Sequence, residues 1–179
     1  MNNFTRGVGL TLVFGFSVGT VTAQAPADLG DPASEVDYSQ FDDDQKQAFC
    51  MEVRKVTDQL NTQVPLQIDP TTRLISATTV YIQGICHLRY GYMLEEKPLL
   101  KMLQDVISQQ ADQDVDIEFV QQWFSRGEGF TNLKQSLKQE MLSEPNFAQL
   151  VSVPFVVAEA DYQVMGEHIE NFSLMFGES

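Results

Sequence analysis

The chain predicts an α+β domain: an N-terminal helix, an antiparallel sheet built from two β-hairpins, and a helical segment between the hairpins that packs on the sheet. Three observations carry this reading. Cys86, Leu88, Tyr90, Tyr92 and Leu94 alternate with His87, Arg89, Gly91 and Met93, the two-residue period of a strand with one buried face. Val156, Ala158, Ala160, Tyr162 and Val164 repeat that period near the C-terminus. Between them, apolar residues return at intervals of three and four, the period of amphipathic helices. The order helix, hairpin, helices, hairpin shows no strand–helix–strand alternation, which argues against a Rossmann-type fold.

The first residues concern location rather than fold. Arg6 precedes an apolar run from Gly7 to Gly19, and small residues follow at Val21-Thr22-Ala23-Gln24-Ala25. This is the layout of a secretory signal peptide, taken here as residues 1–23, with cleavage after Ala23 or Ala25. A spanning helix needs about 20 apolar residues. This run is shorter and is interrupted by Gly, Ser and Thr, and no later segment is apolar enough to insert after signal cleavage. An exported protein, periplasmic or secreted, is expected. Residues 24–38 are rich in Pro, Gly, Ala and acids without periodicity, and read as a flexible acidic leader. Residues 39–179 form a single domain, and trimming to about Ser39 is expected to leave the melting temperature nearly unchanged.

Charge narrows the partners. The chain carries 11 Lys plus Arg against 25 Asp plus Glu, a net charge of −14. Without Arg6 the balance is 10 against 25, or −15. Such a surface repels phosphate backbones and anionic lipid heads, so nucleic acid and direct membrane binding are disfavoured and a basic protein partner or a cation is favoured. Solubility alone also accounts for it.

The elements follow in order. Ser39 is placed as a helix cap, with Asp42 three residues on. Asp42, Asp43 and Asp44 then sit where the helix dipole favours acids. Phe49, Val53, Val56 and Leu60 form one face of a helix over residues 40–61. Pro65 and Pro70 make residues 64–70 an extended connector. Residues 73–82 have strand composition and pair with 86–94 around Gln83-Gly84. Cys50 and Cys86 are the two cysteines. A disulfide between them, in an oxidising compartment, pins the helix to the sheet. Cys-x-x-Cys spacing is absent, and a zinc ligand set is not at hand. Leu99, Leu103, Val106 and Ile107 form the next helical stripe, then Phe119, Val120, Trp123 and Phe124, then Leu133, Leu137 and Met141. Gly127-Glu128-Gly129 breaks this run, and a short helical turn is expected at Phe147–Leu150. Gly166-Glu167 turns the chain into Phe172, Leu174 and Phe176.

Signals for chemistry are few. Asp112, Asp114, Asp116 and Glu118 resemble the start of a calcium loop, but Ile117 and Trp123 occupy the positions where Gly and Glu are required. Asp114 or Asp116 is better read as an N-cap. His87 should leave the solvent face of its strand beside Arg89, and His168 sits in a turn between Glu167 and Glu170. Both are read as surface histidines, with a metal or acid–base role only if the two hairpins bring them together. Neighbouring strand residues face opposite ways, so Cys86 cannot use His87 as a base. Glu159 and Asp161 share one strand face, read as solvated. Gly127-Glu128-Gly129 lacks the Lys-Ser/Thr ending of a phosphate loop. No catalytic, cofactor-binding or metal-ligating residue is assigned, and no oligomeric state.

The expectation is therefore an exported, soluble, non-enzymatic protein that binds a protein partner, possibly a basic one, as inhibitors, immunity-type proteins and envelope accessory factors do. The alternative is a carrier of a small apolar ligand. Tyr90, Tyr92, Trp123, Phe124, Phe172 and Phe176 all point inward, and a pocket could open between sheet and helices.

Overall fold

The computed structural model describes residues 37–177. The expected signal peptide, both cleavage points and the leader up to residue 36 lie outside the described residues. Two aspartates start the structure. An Asp37 oxygen accepts from Ser39 N at 3.1 Å and opens a 3-10 turn over Tyr38–Gln40. Asp42 then accepts from Gln45 N at 2.9 Å, and Gln45 Oε1 accepts from Asp42 N at 3.0 Å. That reciprocal capping box satisfies two N–H groups at once, so α1 spans Asp43–Asn61 and Asp42, not Ser39, is its cap.

The inward face of α1 also differs from its expected stripe. Cys50 and Thr57 are buried, whereas Val56 is 64% exposed. The helix is held in rotation by the Cys50–Cys86 disulfide and by Thr57, whose Oγ1 lies 2.9 Å from Thr79 Oγ1. With those two residues inward, Val56 must turn out.

Tyr38 belongs to the domain. Its ring lies 5.4 Å from Phe41, 5.9 Å from Phe49 and 6.5 Å from Phe155. Aromatic clusters of this kind contribute beyond their buried area, so loss of Tyr38 should cost about 1.5 kcal/mol. A chain starting at Ser39 should therefore melt roughly 5 °C below one starting at Asp37. Equal melting curves by circular dichroism would show that the cluster holds without Tyr38.

Five strands follow: β1 Leu66–Gln67, β2 Thr72–Ile82, β3 Ile85–Glu95, β4 Val156–Met165 and β5 Phe172–Phe176, in the order β1-β2-β3-β4-β5. Ile82 pairs with Ile85, leaving Gln83 (φ 52°) and Gly84 (φ 83°) as the turn. Positive φ at both central residues is what a tight hairpin turn with the right-handed strand twist demands. The second hairpin, β4–β5, is antiparallel as expected.

The sheet is mixed, not antiparallel. β3 and β4 run parallel, from Cys86 opposite Val156 to Glu95 opposite Met165. The four helices between them are α2 Glu96–Ala111, α3 Ile117–Ser125, α4 Glu128–Ser143 and α5 Pro145–Val151. A parallel pair requires a long crossover, and these helices supply it. α2 starts directly where β3 ends, and α5 returns the chain to the level where β3 began.

All helices cover one face of the sheet. Leu88, Ala158, Ala160, Phe172, Leu174 and Phe176 meet Leu99, Leu103, Val120, Phe124, Leu133 and Leu137 in one core. Tyr92, Tyr162 and Phe172 stack in a row across three strands, with centroids 4.9 and 4.7 Å apart. Burial pushes the Tyr90 hydroxyl up to about 12. Asp116 takes the N-cap position of α3 as expected, without a side-chain capping bond, and Phe119 is exposed rather than inward. Gly129 packs on Trp123, where a Cβ would come within 2.8 Å of the indole ring.

Candidate protein-interaction surface

Among the described residues, the second face of the sheet is covered by no helix. It receives the alternate residues of each strand, and its character changes along their length. At the β2–β3 turn, Val80, Ile82 and Ile85 are 50%, 51% and 37% exposed. Register places Val80 and Val157 on either side of His87, so these apolar groups are contiguous around an exposed imidazole. At the far end, Met165 is also exposed, opposite Glu95. Four of the eight exposed large apolar side chains among the described residues thus lie on this one face.

The middle of the face is charged. Arg89 donates from Nε to Asp161 and lies 3.7 Å from Glu159. Ser173 Oγ donates to the other oxygen of Asp161. Partial burial acts to raise the Asp161 pKa, but the Arg89 hydrogen bond, the Ser173 hydroxyl and the Arg89 charge reverse this and hold it below the usual carboxylate range. The same two acids raise the Arg89 pKa. Glu159 and Asp161, expected on one strand face, are therefore bridged by an arginine that the sequence reading placed there without assigning it a partner. Arg89 is exposed and the two acids are half-buried, and one cation against two carboxylates leaves the trio with a net charge of −1, so it makes the middle of the face polar and acidic.

The histidines do not meet. His87 lies beside the start of β4, whereas His168 follows its end. Eight residues of β3 separate their levels, roughly 25 Å at about 3.3 Å per residue. His168 has another partner. Its Nδ1 lies 2.7 Å from Glu96 Oε1, while the backbone N–H groups of His168 and Ile169 donate to Glu96 Oε2 at 2.8 and 3.0 Å. Glu96 is 3% exposed. Burial alone would raise its pKa, but these hydrogen bonds and the imidazole reverse the shift and keep it low. A carboxylate accepts only, so the imidazole proton sits on Nδ1. Glu96 is a clamp that holds the β4–β5 turn to the start of α2, and the sequence reading missed it. The signal that could have found it is an acid in the first turn of a helix leaving a buried strand.

Cys50 and Cys86 are bonded, with their Cα atoms 5.5 Å apart. Beside this bond, α1 and β2 border a cleft of about 470 Å³. Among the described residues, no cluster of His, Cys, Asp and Glu is arranged to hold a metal ion, and no helix is long and apolar enough to cross a membrane. No protein-family model matches the chain, and no curated protein does. One solved structure is similar, that of the "putative secreted protein (PA3611)" from Pseudomonas aeruginosa. It shares 9% identity over 80% of this chain and 95% of that one, with a TM-score of 0.41.

Proposed function

We propose that this is an exported, non-enzymatic protein that binds a protein partner through the uncovered face of its sheet. The observation that carries the reading is the apolar cluster of Val80, Ile82, Ile85 and Val157 on that face. Apolar groups that cluster on an otherwise charged surface mark interaction sites more often than scattered ones do. Export is supported by the N-terminal pattern and by the Cys50–Cys86 bond, since disulfides persist in oxidising compartments. The net charge of −14 favours a partner with basic groups around its contact, which would steer association.

The test is a pull-down from envelope extract at low and high salt, with wild-type bait and with bait carrying Ile85→Glu and Met165→Glu. Both side chains are exposed, so the variant should fold. The expected result is a partner captured by the wild type, lost with the variant and weakened by salt. Capture of the same partner by both baits rules out the open face. Binding indifferent to salt rules out the electrostatic part.

A further inference from the structure

One ionisable side chain stands inside the apolar cluster of the open face. Val80 of β2 and Val157 of β4 lie opposite His87, one on each side. Ile85 is two residues before it on β3, and Ile82 is diagonal to it across the turn. The imidazole is exposed, and it has no hydrogen-bond or ion-pair partner among the described residues. The charged groups near it come from two strands. Arg89 follows it on the same face of β3, and Glu159 of β4 is diagonal to it, opposite Arg89. Both are already engaged, Arg89 with Asp161 and with Glu159 at 3.7 Å. β2 brings Thr78, Val80 and Ile82, which carry no charge. α1 packs on the other face, where Thr57 meets Thr79.

The two charge states of this ring fare differently under a partner. On the open face an imidazolium keeps its water and has an acidic trio beside it. Once covered, it loses the water, and its direct neighbours are Val80 and Val157. Burying an unpaired charge costs far more than burying a neutral polar ring. The neutral imidazole is largely apolar and fits between two valines. Charge acts in the same direction. The trio of Arg89, Glu159 and Asp161 carries −1, and the chain carries −14, so a complementary partner sets cations beside its apolar centre. Those cations also repel an imidazolium.

We infer that His87 makes docking on the open face pH-dependent: a partner with an apolar centre and flanking cations binds while the ring is neutral and is released when it is protonated. The inference rests on the reading of this face as a docking surface and adds the regulation of that surface. The sign follows from proton counting. The docked state holds fewer protons on His87 than the free state, so binding weakens as pH falls. Imidazole is the side chain whose charge changes between pH 5 and 8, a range that surroundings outside the cytoplasm cross. The other histidine, His168, is bonded to Glu96 beyond the far end of β4 and takes no part.

The probe is an end-blocked peptide with a Leu-Val-Leu-Val-Leu centre and one Lys at each end, titrated into isotope-labelled protein. At about pH 7.5 the methyl signals of Val80, Ile82, Ile85 and Val157 should shift, and at about pH 5.5 the dissociation constant should be about tenfold higher. The His87 ring signal should titrate at lower pH with saturating peptide than without it. His87→Gln should bind equally at both pH values, and His87→Lys weakly at both. The melting temperature should be retained in each, since the side chain is exposed. No methyl shift at the higher pH overturns the reading of the face, and this inference with it. Binding at those methyls that is equal at the two pH values, or tighter at the lower one, overturns the inference alone. So does a pH dependence that persists in His87→Gln.

Discussion

Glu96→Ala should be among the most damaging substitutions in this protein, lowering stability by about 2–4 kcal/mol. The carboxylate is buried and accepts from three donors, the His168 ring and the backbone N–H groups of His168 and Ile169. Truncation strands donors beside buried Ile169, and an unsatisfied buried donor costs more than the hydrogen bond contributed. Glu96→Gln keeps the shape and should cost less, about 1–2 kcal/mol. Gly166→Ala should approach the alanine effect from the other side, because a Cβ there overlaps the Glu96 carboxyl. The clamp also sets a pH dependence. The folded-state pKa of Glu96 is depressed, so its contribution is fully present above the unfolded value of about 4.3 and is lost as pH falls through the folded value. Urea denaturation of wild type and Glu96→Gln should therefore converge as pH drops below about 4. Parallel stability curves down to the lowest pH reached would show that Glu96 carries no charge-dependent load.

Removing the disulfide should have a comparable effect. Cys50 and Cys86 are 36 residues apart, and closing a loop of that size is worth roughly 4 kcal/mol on the chain-entropy view. The bond also joins two elements that have few other ties of equal strength, since much of α1 is polar. Cys50→Ala with Cys86→Ala should cost about 2–4 kcal/mol and lower the melting temperature by roughly 8–15 °C. The double variant avoids a lone reactive thiol. Labelling of native exported protein should find no free thiol, and two reactive cysteines would refute the bond.

Elements whose residues interact locally were legible in the sequence. The period-two runs of β3 and β4 correspond to strands, because alternation directly encodes one buried face. Gln83-Gly84 is a turn, because two positive φ angles need residues that tolerate them. The three helical stripes after β3 fall on helices, and the Cys50–Cys86 pairing follows from counting cysteines. Asp42 is legible as an acid at the start of α1, but Ser39 offers a competing cap three residues earlier, which hides the capping bond between Asp42 and Gln45.

Tertiary structure decided what depends on direction and on partners distant in sequence. Strand periodicity is the same in parallel and antiparallel ladders, so nothing in β3 or β4 reveals that they run together. The crossover through α2–α5 sets it. Val56 turned outward because the disulfide and the Thr57–Thr79 contact fixed the rotation of α1, a choice made by β2 and β3. His168 is exposed, as its turn implies, but its bond to Glu96 joins residues 72 apart and no local stretch shows it. The composition determined an acidic chain with one cysteine pair and a core large enough for a single domain. Which sheet face the described helices cover arose only when they packed, since it depends on surfaces that no local stretch contains.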